Sequence, residues 1–205
     1  MTLLRLARAI AADDHATISS LLDADPGLAA TPLEAGATRQ DPTACFLDEI
    51  GHHVYAGDTA LHVAAAAHRP DLVSRLLDLG ADVHARNRRG AQPLHYAADS
   101  RPGFPAWRPD AQAAAIAALL AAGAEPDAVD RSGVAPLHRA VRTRGAAAVR
   151  ALLEGGADPR LPNRSGSTPL DLATGTTGKG GSGSPEAKAE QAVILHLLDA
   201  AGATS

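Results

Sequence analysis

Three histidines stand in near-identical settings along this chain: His62 in TALHVAAAA, His95 in QPLHYAAD and His138 in APLHRAVR. Asp171 takes the same place in TPLDLATG. An imidazole among apolar helix formers can serve as a general base, a metal ligand or a hydrogen-bonding piece of scaffold. Catalysis and metal binding need several groups at one point, whereas this group returns after 33, 43 and 33 positions. Recurrence along the chain argues for scaffolding. His52 and His53 neighbour Cys45, Asp48 and Glu49, yet there is no second cysteine and no recognised ligand spacing. No nucleophile elbow, zinc-protease helix or dinucleotide fingerprint occurs, so the sequence assigns no catalytic residue, cofactor or metal ligand.

The elements that position the histidines are marked by a second motif running in step: LLDLGAD at 76–82, LLAAGAE at 119–125, LLEGGAD at 152–158 and a ragged LLDAAGA at 197–203. Thr59 and Thr168 are helix-capping residues, and Pro169 suits a first helical position. His62 and Asp171 then fall where a capping box places Glu or Gln, reaching back to the cap. Gln92 and Ala135 depart from Thr, which predicts weaker helix starts. Gly80, Gly123 and Gly156 each follow a Leu-Leu pair and predict left-handed ends to the second helices.

This pair of motifs, recurring in phase, resembles the ankyrin-repeat family, in a version of bacterial-type composition. The match is close over 57–174 and looser over 1–30 and 185–203. It implies an all-α solenoid of about five helix-turn-helix units with inserted loops, in one domain spanning 1–205. The units run as a degenerate one at 1–30, an insertion at 31–56, and repeats at 57–86, 87–129, 130–162 and 163–205. The resemblance also implies finger-like turns between units and a non-enzymatic module that binds a protein partner.

Composition agrees with slim, closely packed helices: 45% of residues are hydrophobic, chiefly alanine, and only 2% are aromatic. A net charge of −4 argues against indiscriminate nucleic-acid binding. The single cysteine fits a reducing compartment. The opening MTLLRLARAIAADD reads as an amphipathic helix, and no apolar run is long enough to span a membrane. A cytoplasmic protein with neither nucleic acid nor membrane as partner is expected.

Three segments break the period: 31–56, 99–109 (DSRPGFPAWRP) and 174–184 (TGTTGKGGSGS). The last two lie between the helices of their units and flank the turn at 142–145. Phe46, Tyr55, Phe104 and Trp107 lie in or beside insertions, and Tyr96 follows His95. Such rings either pin their loops or wall a cleft. By resemblance to designed ankyrin binders, Arg88, Arg89, Arg131, Ser132, Arg142, Arg164 and Ser165 occupy contact positions, which suits an acidic partner surface. A composite site is a second expectation. Its walls would be Phe104 with Trp107 and the glycine amides around Lys179, above a floor of Arg142 and Arg144. That groove would make the chain a receptor for a small anionic ligand or metabolite, or an enzyme, through loops 99–109 and 174–184. A flexible Gly/Ser linker at 174–184 is the competing reading.

Overall fold

Each recurring motif opens a helix, and each Leu-Leu pair closes the next one. The computed structural model describes residues 2–38, 41, 43, 45–104, 107–175 and 185–203. Among them, helices pair as α1 (Thr2–Ala11) with α2 (His15–Ala24), α3 (Ala60–Ala66) with α4 (Pro70–Asp78), α5 (Pro93–Ala97) with α6 (Pro109–Ala121), α7 (Pro136–Arg142) with α8 (Ala146–Glu154), and α9 (Pro169–Thr174) with α10 (Pro185–Ala200). The first helices stack in one layer, α1 on α3, then α5, α7 and α9. The second helices α4, α6, α8 and α10 stack in another. This is the all-α solenoid of five units.

The layers meet through small residues at one repeated position. Ala64, Ala97, Ala140 and Ala173, two places after the motif His or Asp, are all buried. Leu61, Leu94 and Leu137 fill the space before them, and Leu76, Leu119 and Leu152 supply the facing layer. An Ala stripe lets helices approach toward the short end of the usual ~8–10 Å spacing. A core can therefore form with few aromatic rings.

The second helices end as the sequence predicts. Gly80, Gly123 and Gly156 have φ of 87°, 94° and 89°. Ala81 N–H donates to Leu76 O and Gly80 N–H to Leu77 O, the paired bonds of a Schellman end. A Cβ at any of the three would meet nothing within 4 Å, so the left-handed backbone alone demands glycine. The turns inside three units also use the left-handed region, but without glycine: Asp13, His68 and Arg144 have φ of 59°, 51° and 59°.

The 31–56 insertion contains structure that the helical period did not announce. Strands β1 (Phe46–Leu47) and β2 (His52–His53) form an antiparallel ribbon in which Phe46 faces His53 and Leu47 faces His52. The insertion is tied to the first well-formed unit by Leu33 N–H to Asp58 O and Gly57 N–H to Leu33 O, both 2.7 Å. No helix among the described residues is long and apolar enough to cross a membrane.

Candidate functional site

All three motif histidines hold their own helix start, and His62 and His95 also stitch neighbouring units. Thr59 N–H donates to His62 Nδ1 at 3.1 Å, Gln92 N–H to His95 Nδ1 at 3.1 Å, and Ala135 N–H to His138 Nδ1 at 3.2 Å. With Nδ1 accepting, the proton sits on Nε2, which donates to the next unit: His62 to Ala91 O at 3.1 Å and His95 to Val134 O at 3.0 Å. Burial holds His62 and His138 below the usual imidazole pKa and takes His95 to about 4. The neutral ring is thus the form that fits. Asp171 makes the local half alone, accepting from Thr168 N–H at 2.8 Å. A carboxylate has no donor to send onward. At Gln92 and Ala135, as at Thr59, the imidazole accepts the cap residue's own N–H, a bond that does not depend on the cap side chain.

Below the first complete unit lies a buried polar cluster. Asp58 is wholly buried and accepts from Tyr55 N–H at 2.7 Å, Asn87 Nδ2 at 2.8 Å and the Tyr96 hydroxyl at 2.9 Å. Burial raises its carboxyl pKa, and His62 nearby works against that rise. Tyr96 therefore does not reach a partner surface: it is 2% exposed, with its phenol committed to Asp58. The ring of His52 rests on Tyr96 at 4.3 Å, while His53 on the opposite ribbon face meets Phe46 at 4.7 Å. Adjacent strand residues point to opposite faces, which separates the two imidazoles.

The finger side is built by a second repeat. Asn87, Asp130 and Asn163 each close a turn by accepting two backbone N–H groups, from 89 and 91, from 132 and 134, and from 165 and 167. Gly90, Gly133 and Gly166 follow three places on with φ of 76°, 70° and 82°. The residue after each Asx is an exposed arginine: Arg88, Arg131 and Arg164. Consecutive fingers are laced by Arg88 N–H to Ala56 O and Arg131 N–H to Arg89 O. The glycines permit this approach, since a Cβ on Gly133 would stand 2.8 Å from Arg164 N. The signal was in the sequence as NRRG, DRSG and NRSG at 87–90, 130–133 and 163–166.

Opposite the fingers is a cleft of about 820 Å³. Phe104, Trp107 and Arg142 line it together. Its other wall is the ribbon turn from Glu49 to His52, supplied by the 31–56 insertion. The two insertions touch there: a Cβ on Gly51 would lie 1.9 Å from Arg101 Nη1. At the base, Arg139 grips Asp99 in a two-pronged ion pair, Nε to Oδ1 at 2.9 Å and Nη2 to Oδ2. Burial favours the neutral carboxyl, yet Arg139 more than offsets it and holds the Asp99 pKa below its ordinary value. Trp107 Nε1 and the Ser100 hydroxyl both donate to Gln112 Oε1, at 2.9 and 3.0 Å, which moors the loop to α6.

Arg144 is not in this cleft. It is 8% exposed and donates to Gln191 Oε1 at 2.5 Å and to Ala187 O, so it clamps α10 in place. The expected floor is thus divided, Arg142 lining the cleft and Arg144 lying inside the closing unit. Lys179 and the rest of 176–184 lie outside the described residues.

A family model described as ankyrin repeats (many copies) matches residues 52–97 and 119–173. The chain is an ankyrin-repeat protein. A stretch of 46 residues, 22% of this chain, is 46% identical to the tyrosine-protein kinase Shark of Drosophila melanogaster and covers 5% of that protein. A stretch of 41 residues, 20% of the chain, is 51% identical to neurogenic locus notch homolog protein 2 of Homo sapiens and covers 2% of it. The similarity to the neurogenic locus Notch protein of Drosophila melanogaster is 49% over 41 residues, again 2% of its length. This ankyrin-repeat chain therefore matches only a small part of much longer relatives. Ankyrin-repeat chains are generally protein-interaction modules and generally not enzymes.

Proposed function

We propose that this ankyrin-repeat chain is a non-enzymatic recognition module whose finger side seats an acidic surface of a protein partner. The observation that carries the reading is the ladder of Arg88, Arg131 and Arg164 at one equivalent position of three successive fingers, with Arg89 beside the first. Exposed guanidiniums in register present fixed forks to carboxylates at the spacing of the repeat. A cationic ridge on a chain of net charge −4 also steers an acidic partner to one side. Affinity capture from the source cell followed by binding to variants tests it. Arg131→Glu and Arg164→Ala should weaken the captured partner, wild-type binding should fall with added salt, and Trp107→Ala should leave it unchanged. Undiminished binding to Arg131→Glu sinks the reading.

A second reading has its own support: Phe104, Trp107 and Arg142 line one cleft with the buried Asp99–Arg139 pair at its base. An aromatic wall beside an exposed guanidinium suits a small anionic ligand with an apolar body. Quenching of Trp107 fluorescence by members of a metabolite library, lost in Arg142→Ala, supports this reading. A library without effect on that fluorescence rejects it.

A further inference from the structure

The first finger carries a recess whose chemistry is narrower than that of the ridge around it. Arg88, Arg89, Arg131, Tyr55, His53 and Thr38 line about 620 Å³ of space. Tyr55 acts as the central post. The guanidinium carbons of Arg88 and Arg89 lie 5.3 and 5.0 Å from its ring centroid, and Arg89 Nη1 donates to its hydroxyl at 3.0 Å. Arg88 Nη2 donates to Ala37 O, which ties that guanidinium to the 31–56 insertion. Each of these guanidiniums spends one of its five N–H donors and is thereby aimed. Arg131 arrives from the next finger, held by its backbone bond to Arg89 O.

Three guanidiniums meet at this recess. No carboxylate is among the described residues that line the recess. Asp41, on the segment that follows Thr38, accepts the Thr43 hydroxyl at 3.4 Å. His53 Nδ1, at the wall, is buried with no hydrogen-bond partner among the described residues. One carboxylate brings a single charge, which one guanidinium already matches, on two oxygens. Three arginines exceed that. A phosphate monoester brings about −1.5 to −2 charges and three acceptor oxygens, one for each guanidinium.

We infer that this recess binds a phosphate monoester carried on a side chain of the protein partner, such as a phosphorylated serine. The inference rests on the reading that the finger side is the partner's seat. It goes further in naming the group that docks first. The recess is open and continuous with the arginine ridge, so an anchored phosphate leaves the flanking partner surface against Arg164.

The test uses the full chain and three capped five-residue glycine-alanine peptides that differ at the centre, with phosphoserine, glutamate or serine, followed by titration calorimetry and amide chemical shifts. Inorganic phosphate is the fourth probe. The phosphoserine peptide should bind at least about tenfold tighter than the glutamate peptide, and the serine peptide should not bind. Arg131→Ala and Arg89→Ala should each weaken the phosphoserine peptide by about tenfold, with circular dichroism unchanged. Arg142→Ala, in the cleft, should leave it unaltered. Inorganic phosphate should compete but bind more weakly than the peptide; phosphate binding as tightly as the peptide makes the recess a site for the free ion and overturns the side-chain assignment. Equal affinity for phosphoserine and glutamate overturns the phosphate inference and leaves the acidic-partner reading standing. Equal phosphopeptide binding to wild type and Arg131→Ala overturns the site itself. Failure of the finger reading is seen separately, in undiminished capture of the partner by Arg131→Glu.

Discussion

His62 and Ala91 are 29 residues apart and are joined at 3.1 Å, Nε2 of the imidazole donating to the carbonyl that precedes the next helix start. His95 repeats the bond to Val134 across the following unit. One side chain thus fixes its own helix start and the position of the neighbouring unit. Neither role uses the ring as an acid or base.

Replacing His95 by Ala should cost about 2–4 kcal/mol, because the Gln92 N–H and Val134 C=O lose their partner inside the core and a cavity remains. His95→Asp should restore only the local bond, as Asp171 does in its unit, while burying a carboxylate. Urea unfolding of both variants reads this out. A loss below about 0.5 kcal/mol for the Ala variant contradicts the stitch.

The histidines also set an acid limit. Burial takes His52, His68 and His95 down to about 4, from an ordinary value of 6.5. A histidine depressed on folding stabilises the native state fully above 6.5, and that contribution is lost as pH falls from 6.5 towards 4. Each such group contributes about 1.4 kcal/mol per pH unit inside the window. Asp58, raised by burial, acts in the opposite sense, because the native state takes up its proton before the unfolded state does. With the histidines outnumbering it, stability in urea should fall steadily between pH 6.5 and 4.5. A flat profile over that range rejects the buried neutral imidazoles.

Gln112 is wholly buried and serves three partners, accepting from Trp107 Nε1 and Ser100 Oγ and donating to Ala97 O at 2.8 Å. Gln112→Ala should destabilise the chain by about 2–3 kcal/mol and release the wall of the cleft. Trp107 is the single tryptophan, so its emission should shift to the red in the folded variant. Emission that stays at the wild-type wavelength would show that other contacts hold the loop.

Asp99 and Arg139 form a largely buried pair, and Arg139 also lies over the Tyr96 ring at 5.6 Å. Asp99→Ala should cost about 3–5 kcal/mol by stranding the guanidinium. Replacing both residues with apolar ones should restore much of that loss. If the double variant is as unstable as the single one, the cost comes from packing and not from an unpaired charge.

What the sequence determined by itself was everything that repeats. The capping positions, the helix-ending glycines and the alanine stripe are local requirements of backbone geometry, renewed in every unit, so their period displays them. The Asx-Arg-x-Gly fingers belong to the same class and were equally legible, with Arg88, Arg131 and Arg164 already among the contact positions. The insertions were decided only in three dimensions. Arg88 reaches Ala37, 51 positions away, and Arg101 packs on Gly51; no spacing rule announces such a contact. Trp107 and Arg142 line one cleft whose opposite wall comes from the N-terminal insertion, a neighbour that no local spacing indicates. Tyr96 and Arg144 look like surface residues in sequence and are buried in the fold, because a polar end that finds Asp58 or Gln191 offsets its desolvation. Whether a polar side chain faces water or a partner depends on what the chain places opposite it, and that is a property of the packed solenoid.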